Sequence, residues 1–413
     1  MNFLRIKIKE YLDKNKFMSS LFIHGIWMTI RQVIVLGSGL ALSIAFARLA
    51  TQEVFGQYQL ILSILSVVSI VSIPGLNMSI LGSTARGFEG SFTRAVRTSF
   101  LWSLIGIPVL LAVGGYYYIY ENPTVGLAFM ALSLFFPFLY APNTWDSFLQ
   151  GKERFDVASR YSSIQALINA ATIIAILFLF KDNLLLIVVA YALTLAFFNI
   201  VWYKKSLRYV ENKNEDKETI PYGWFVTKIQ ILSLIAGNLD KVLIGIFIGP
   251  VQLAVYAIGI NFSKKILYFV KSLLGVATPT ISKKNTVSMK LYSKIFILAT
   301  IFAGALFLFM PVLIPFLFSN KYVDSILLSQ LVVAFLPFYI LNILYKNHFL
   351  LYLKNKRILF YESIIFPITK ILLMIPLIYF FGIIGLAFLI GFQNILNMAV
   401  LYLLHKKNKQ VVK

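Results

Sequence analysis

An aspartate and a lysine, Asp240 and Lys241, stand side by side inside the otherwise apolar stretch "IAGNLDKVLIGIFIG" that runs from Ile235 to Gly249. A charge near the centre of a bilayer costs about 2.5–3.5 kcal/mol on insertion scales, so such groups face protein or water rather than lipid. At about 100° per residue, Gln230, Ser233, Gly237, Asp240 and Lys241 fall on one helical arc, and the rest of that surface is Ile, Leu and Val. The next apolar stretch carries Lys264, Tyr268, Lys271 and Gly275 at spacings of four, three and four, which stacks them on one face, with Asn261 nearby. His24, Trp27, Arg31 and Ser38 share a face in the first apolar stretch, and later ones add Glu362, Lys370, Gln393, Asn394 and Asn397.

The cations of this set are Arg31, Lys241, Lys264, Lys271 and Lys370, with Asp240 the main acid. Two accounts compete for them. In one, Asp240 neutralises a neighbouring cation and lysines near span ends extend to the interface. In the other, they line a water-filled cationic cavity. Local pairing can hold for any one residue, but there are too few acids for it to cover the whole set. A cationic cavity selects anions and suits a phosphate or pyrophosphate, for which Arg offers a two-pronged fork and Lys a point charge. Trp27, Gln230, Asn238, Asn261 and Tyr268 are its expected polar and aromatic lining, and Asp240 its pairing or coupling group.

Other chemistry is poorly supported. There are no cysteines, and His24, His348 and His405 are far apart, so neither thiol chemistry nor a metal site is expected. No "GxxxxGK[ST]" loop occurs, and "GSG" at Gly37 to Gly39 lies inside an apolar stretch, where it reads as a close-packing feature. A polymerase would need a large outer loop and a histidine-based acyltransferase a paired histidine. No catalytic residue, enzyme activity or cofactor is therefore expected.

The elements that must position these residues are membrane spans. The chain has 413 residues, 59% hydrophobic and 13% charged, with a mean hydropathy of +0.81. A soluble domain carries about twice that charge fraction. Apolar runs recur from end to end, without the short alternating segments of a barrel. The expected fold is an all-α integral membrane protein with 12 spans at about 21–49, 57–84, 97–119, 124–149, 159–180, 183–203, 223–249, 252–282, 291–318, 325–353, 358–380 and 383–404.

Taken alternately, one set of loops and tails holds 27 Lys and Arg residues and the other only Arg48, Lys181 and Lys321. That asymmetry places both termini in the cytoplasm and accounts for the net charge of +22 without nucleic acid. The domain division is a basic amphipathic helix over 1–20, a first lobe over 21–205, a cytoplasmic linker over 206–222, a second lobe over 223–405 and a basic tail over 406–413. A frayed tail is the alternative for the first 16 residues. The lobes resemble each other: "FARLATQEVFGQYQL" compares with "IGIFIGPVQLAVYAI", which aligns Tyr58 with Tyr256 and Gly39 with Gly237, 198 residues apart. Two like-oriented lobes related by a pseudo-two-fold along the membrane normal would enclose a V-shaped central cavity.

"NLDKVLIGIFIGPVQLAVYAIG" (Asn238 to Gly259) and "ARLATQEVFGQYQLILS" (Ala47 to Ser63) resemble segments of polysaccharide-biosynthesis flippases of the O-antigen, or Wzx, type. "PFLFSNKYVDSILLSQLVVAFLPF" (Pro315 to Phe338) and "FFGIIGLAFLIGF" (Phe380 to Phe392) do so too. The likeness runs in order along essentially the whole chain. It implies the fold of the multidrug/oligosaccharidyl-lipid/polysaccharide exporter superfamily, in a bacterial inner membrane. It also implies transfer of undecaprenyl-pyrophosphate-linked oligosaccharide, an O-antigen or capsule repeat unit, from the cytoplasmic leaflet to the outer one. Partners implied are that lipid-linked substrate, membrane lipids, and the polysaccharide polymerase and glycosyltransferases of the same pathway. The family's cationic cavity would map onto Arg31, Lys241, Lys264 and Lys271, although Lys241 stands where an Arg is more usual. The alternative is a cation-coupled multidrug exporter of the same superfamily.

Overall fold

The computed structural model describes residues 16–282, 289–347 and 360–411. The amphipathic reading of the first 16 residues falls almost wholly outside them. Among the described residues every regular element is helical.

The first half of the chain forms α1 (Lys16–Leu49), α2 (Gln52–Val68), α3 (Leu76–Ala85), α4 (Ser91–Ser103), α5 (Gly106–Tyr120), α6 (Pro123–Tyr140), α7 (Trp145–Gly151), α8 (Phe155–Phe180) and α9 (Leu184–Ser206). The second half forms α10 (Thr219–Phe247), α11 (Pro250–Ser282), α12 (Met289–Phe318), α13 (Ser325–Ala334), α14 (Leu336–Asn347), a π turn over Tyr361–Ile365, and α15 (Phe366–Val411). Polar side chains start the helices at one end of the bundle. Thr51 caps α2, Asn122 caps α6 with Pro123 in its first turn, and Asn183 caps α9.

Among the described residues ten helical runs are long and apolar enough to cross a membrane, and α13 with α14 makes an eleventh, bent by 42°. One of the ten, Tyr361–Val400, has 40 residues. Straight, it would be about 60 Å long, twice a hydrocarbon core of roughly 30 Å. It is not straight. Gly382 adopts φ 57°, a left-handed conformation open to glycine, and interrupts the helix. The Gln393 amide then donates to the Phe366 carbonyl at 3.0 Å, where an unbroken helix would hold them about 40 Å apart. This segment is a helical hairpin, and the crossings among the described residues number twelve.

Within the first lobe α1 packs along α8, α5 along α6, and α9 against both α6 and α8. In the second, α13 packs on α11, α12 and α15. The lobes meet where α2 runs along α10 and α11 and α3 along α10. Two glycines permit that approach. A Cβ on Gly56 would lie 1.8 Å from the Pro250 carbonyl oxygen, and one on Gly75 2.3 Å from that of Gly223. The "GSG" stretch does not serve this purpose, because a Cβ on Gly37 meets nothing within 4 Å and one on Gly39 only Lys265 Cε at 3.8 Å.

The two ends of the bundle are tied differently. At the end away from the basic loops, the Arg48 guanidinium donates to the carbonyls of Phe316 and Leu317, and the Gln52 amide to that of Lys321. Phe55 meets Tyr322 edge-on at 6.5 Å. At the basic end, the segment between α9 and α10 lies along the first lobe as a strap. Gly90 N–H donates to the Asn214 carbonyl at 2.9 Å, and Asp216 N–H to Ser91 Oγ at 2.8 Å. Lys152 Nζ bridges Glu89 at 2.6 Å and Glu211 at 3.2 Å.

Candidate functional site

The α10 charge lies in an enclosed polar site of the bundle. Asp240 is fully buried. Its Oδ1 accepts the main-chain N–H of Lys241 at 2.9 Å, and the Tyr256 hydroxyl on α11 donates to Oδ2 at 2.8 Å. Lys264 Nζ stands 4.0 Å from the same oxygen. Lys370 and Lys241 are its other cationic neighbours. Asp240 lies about 30 Å along α10 from the basic end and about 10 Å from the other, so it sits in the half of the span away from the basic loops.

Three lysines therefore share one carboxylate, and two of them also reach for a second oxygen. Lys370 Nζ donates to the Ala236 carbonyl at 2.6 Å. Lys241 Nζ and the Asn261 amide both approach Gln59 Oε1 of α2 at 3.5 Å, the outer limit of a hydrogen bond. A fourth, Lys265, crosses the lobe interface to donate to the Gly39 carbonyl at 2.8 Å and Ser43 Oγ at 3.0 Å. Asn238 donates to Ser66 Oγ, also across the interface. Charges withdrawn from water without a counter-charge are strongly disfavoured, so this positive excess calls for water or an anion beside it.

A cavity of about 490 Å³ adjoins the cluster in the second lobe, bounded by Lys271, Tyr339, Lys346, Glu362, Lys370 and the amides of Asn342, Gln393 and Asn397. Glu362 sits in the π turn just before Pro367, whose missing N–H loosens the helix there. It pairs with Lys346. Lys271 is exposed and has no acidic partner among the described residues. Asn342 Oδ1, Gln393 Oε1 and Asn397 Oδ1 are buried acceptors without a protein donor. Such atoms in a native site point to ordered water or a ligand with donors.

A second cavity, of about 360 Å³, lies in the first lobe. Arg31 on α1 forks onto Asp146 of α7, with Nη1 and Nη2 at 2.8 and 2.9 Å from the two carboxylate oxygens, and the Gln150 amide also donates to Asp146.

The structure thus brings together Asp240, Lys241, Lys264, Lys370 and Asn261, with Asn238 two residues before Asp240 on α10, and sets Lys271 in the adjoining cavity. It separates Arg31, which is neutralised in the other lobe, and Trp27, whose ring lies 5.0 Å beneath the Arg160 guanidinium. Gln230 is exposed on α10 and borders neither cavity, and Tyr268 is 48% exposed. Placing Arg31 in the cationic cavity set leaves out Asp146, the acid in "NTWDSFLQG". The lysine stripe drew attention to Lys264 and away from Lys265, one residue further round the helix. Gln59, Tyr256 and Asn342 were also missed as site residues.

Several solved structures share this architecture. An outward-facing multidrug resistance MATE family transporter of the MOP superfamily superposes with a TM-score of 0.63 at 14% identity, over 95% of this chain and 96% of that one. A MATE protein in complex with MaD5 gives 0.64 at 14% identity, with 94% of each chain covered. A mutant of the Vibrio cholerae MATE transporter VcmN gives 0.55 at 12% identity, over 95% and 97%. At these identities the likeness establishes the fold and carries nothing about cargo. No curated protein matches the sequence. The profile of the polysaccharide biosynthesis protein family matches residues 23–285, from α1 to just beyond α11, which takes in Asp240, Lys241, Asn261 and Lys264 and stops short of Lys370. With more than half its length matched, this multi-pass membrane protein belongs to the polysaccharide biosynthesis protein family.

Proposed function

We propose that this protein is a flippase for undecaprenyl-pyrophosphate-linked oligosaccharide, an O-antigen or capsule repeat unit. It carries the unit from the cytoplasmic to the outer leaflet by alternating access. The observation that carries the reading is the charge of the second-lobe site: Lys241, Lys264 and Lys370 around the single carboxylate Asp240, opening on a cavity with Lys271. Lysines held in low dielectric attract a pyrophosphate far more strongly than the same groups in water. The undonated oxygens of Asn342, Gln393 and Asn397 suit the hydroxyls of a sugar next to that phosphate. Family membership supports the polysaccharide pathway, and the excess of Lys and Arg in one set of loops supports a cytoplasmic position for both termini.

Vesicles reconstituted with a labelled lipid-linked oligosaccharide test this. Lys271→Ala combined with Lys370→Met should lower flipping more than tenfold with insertion intact, because each change removes a charge that membrane insertion disfavours. Lys271→Glu should be worse than Lys271→Ala. Lys406→Ala with Lys407→Ala, in the tail, should be neutral. Parent-level flipping by the first pair would remove the cationic site from the mechanism. The MATE fold is equally consistent with a second reading, a cation-coupled multidrug exporter of the same superfamily. Export of a cationic dye from the same vesicles, without oligosaccharide transfer, would establish it.

A further inference from the structure

The first-lobe cavity has a chemistry of its own. Its charges balance, because Arg31 and Asp146 satisfy each other through two hydrogen bonds. A free cation would meet the guanidinium there and a free anion the carboxylate, so neither is favoured. What remains on its walls is uncharged, with the polar groups of Asn77, Asn143, Ser147, Ser162 and Gln165 set among apolar side chains such as Val35 and Leu195. Two atoms of the lining residues are buried without a protein partner, the acceptor Asn77 Oδ1 from α3 and the donor Nε1–H of Trp145, itself 1% exposed, from α7. A buried indole N–H ordinarily finds an acceptor. A hydroxyl is the group that can accept from the indole and donate to the amide, and the volume of about 360 Å³ falls within the ligand-pocket range of about 300–1,000 Å³.

We propose that this cavity binds uncharged polyhydroxylated rings, the sugars of the translocated glycan, while the second-lobe lysines hold the phosphates. The proposal rests on the flippase reading above. It divides one substrate between the lobes, with the neutral pocket reading sugar identity through Asn77, Gln165 and Trp145. Hydrogen-bonding walls of this kind discriminate strongly between sugars, since a missing hydroxyl leaves a buried polar group unpaired.

The test uses the purified full-length protein with two probes: the oligosaccharide released by mild acid from the producing strain's lipid-linked repeat unit, and inorganic pyrophosphate. Calorimetry should show that Asn77→Ala and the cavity-filling Ser162→Phe each weaken oligosaccharide binding at least tenfold and leave pyrophosphate unchanged. Lys271→Ala with Lys370→Met should do the reverse. Oligosaccharide should also change the tryptophan emission of the parent, and Trp145→Phe should abolish that change. Should Ser162→Phe fail to fold, Asn77→Ala alone decides, as it only removes atoms. Equal oligosaccharide binding by Asn77→Ala and the parent would overturn the assignment, even with flipping intact. So would a parent that flips the lipid-linked unit yet does not bind the free oligosaccharide, in which case the cavity holds water only. A parent that neither flips nor binds either probe would instead defeat the flippase reading, and this proposal with it.

Discussion

The two cavities share a polar character and differ in charge. The first-lobe cavity holds one cation forked onto one carboxylate. The second-lobe cavity adjoins three lysines around one carboxylate, with Lys271 beyond. The repeated tyrosine shows where the lobes part. Tyr256 gives its hydroxyl to Asp240. At the same offset in the first lobe Asp240 becomes Leu42 and Lys241 becomes Ser43. Tyr58 there stacks on Phe46 at 4.5 Å and meets Tyr191 edge-on. One chain path therefore supports an apolar packing cluster in one lobe and an ionic cluster in the other. Charge distinguishes the lobes.

The largest expected effect comes from removing the carboxylate that holds the ionic cluster together. Asp240→Ala leaves Lys264, Lys370 and Lys241 without their shared counter-charge, and breaking a buried pair costs about 3–5 kcal/mol. Asp146→Ala removes a charge-assisted hydrogen-bonded pair from a partly exposed Arg31, worth about 1.5–3 kcal/mol. Thermal unfolding in detergent should rank Asp240→Ala clearly below Asp146→Ala. Adding Lys264→Met should recover part of the Asp240→Ala loss. Equal losses, or no recovery, would mean that the lysines are well solvated and that the contrast between the cavities is smaller than the geometry implies.

The seam that joins the lobes gives the next effect. Gly56→Ala puts a methyl group 1.8 Å from the Pro250 carbonyl oxygen, backbone that cannot step aside. Overpacking of this kind costs about 1–3 kcal/mol. Gly39→Ala, by contrast, meets only the flexible end of Lys265 at 3.8 Å. It should be neutral, or slightly stabilising because alanine lowers the entropy of the unfolded chain. A lower melting temperature for Gly39→Ala than for Gly56→Ala would contradict the seam described here.

Much of this was legible in the sequence because membrane chemistry exaggerates its signals. The spans showed as long apolar runs, Asp240 and Lys241 as charges where charge is disfavoured, and the last hairpin as two expected spans meeting next to Gly382. What escaped depends on contacts between helices distant in sequence. Asp146 ends an apolar span, and nothing in one dimension says that α7 carries it to Arg31 on α1. Lys265 lies off the lysine stripe, and only the crossing of α11 over α1 aims it at the Gly39 carbonyl. Gln393 and Asn397 were visible as polar residues. Their meeting with Asn342 on one cavity wall required the bend between α13 and α14 and the reversal at Gly382.

The smallest effect concerns the strap, which ties the segment between α9 and α10 to the first lobe at the basic end. Burial alone would raise the Glu89 carboxyl. The Lys152 ammonium and the main-chain N–H groups of Glu211 and Asn212 outweigh burial and hold it below the usual carboxylate range. Burial disfavours the Lys152 ammonium in turn, but its bonds to Glu89 and Glu211 raise it above the ordinary lysine value. A lowered carboxyl stabilises the folded strap above the unfolded value of about 4.3, and that contribution is lost as pH falls through the lower folded value. A raised ammonium contributes below about 10.4 and loses its contribution as pH rises through its folded value. The strap should therefore stay docked across the neutral range and release at either extreme. Glu89→Gln keeps the shape and removes the charge, so it should abolish the acid limb and weaken docking by about 1 kcal/mol. Hydrogen exchange at the Glu211 and Asn212 amides reports this, because exchange there follows local opening. Both amides should exchange several-fold faster in Glu89→Gln at neutral pH, with amides in α5 and α6 unaffected. Unchanged protection would show that the Asn214 and Asp216 main-chain bonds hold the strap without the Glu89–Lys152 pair.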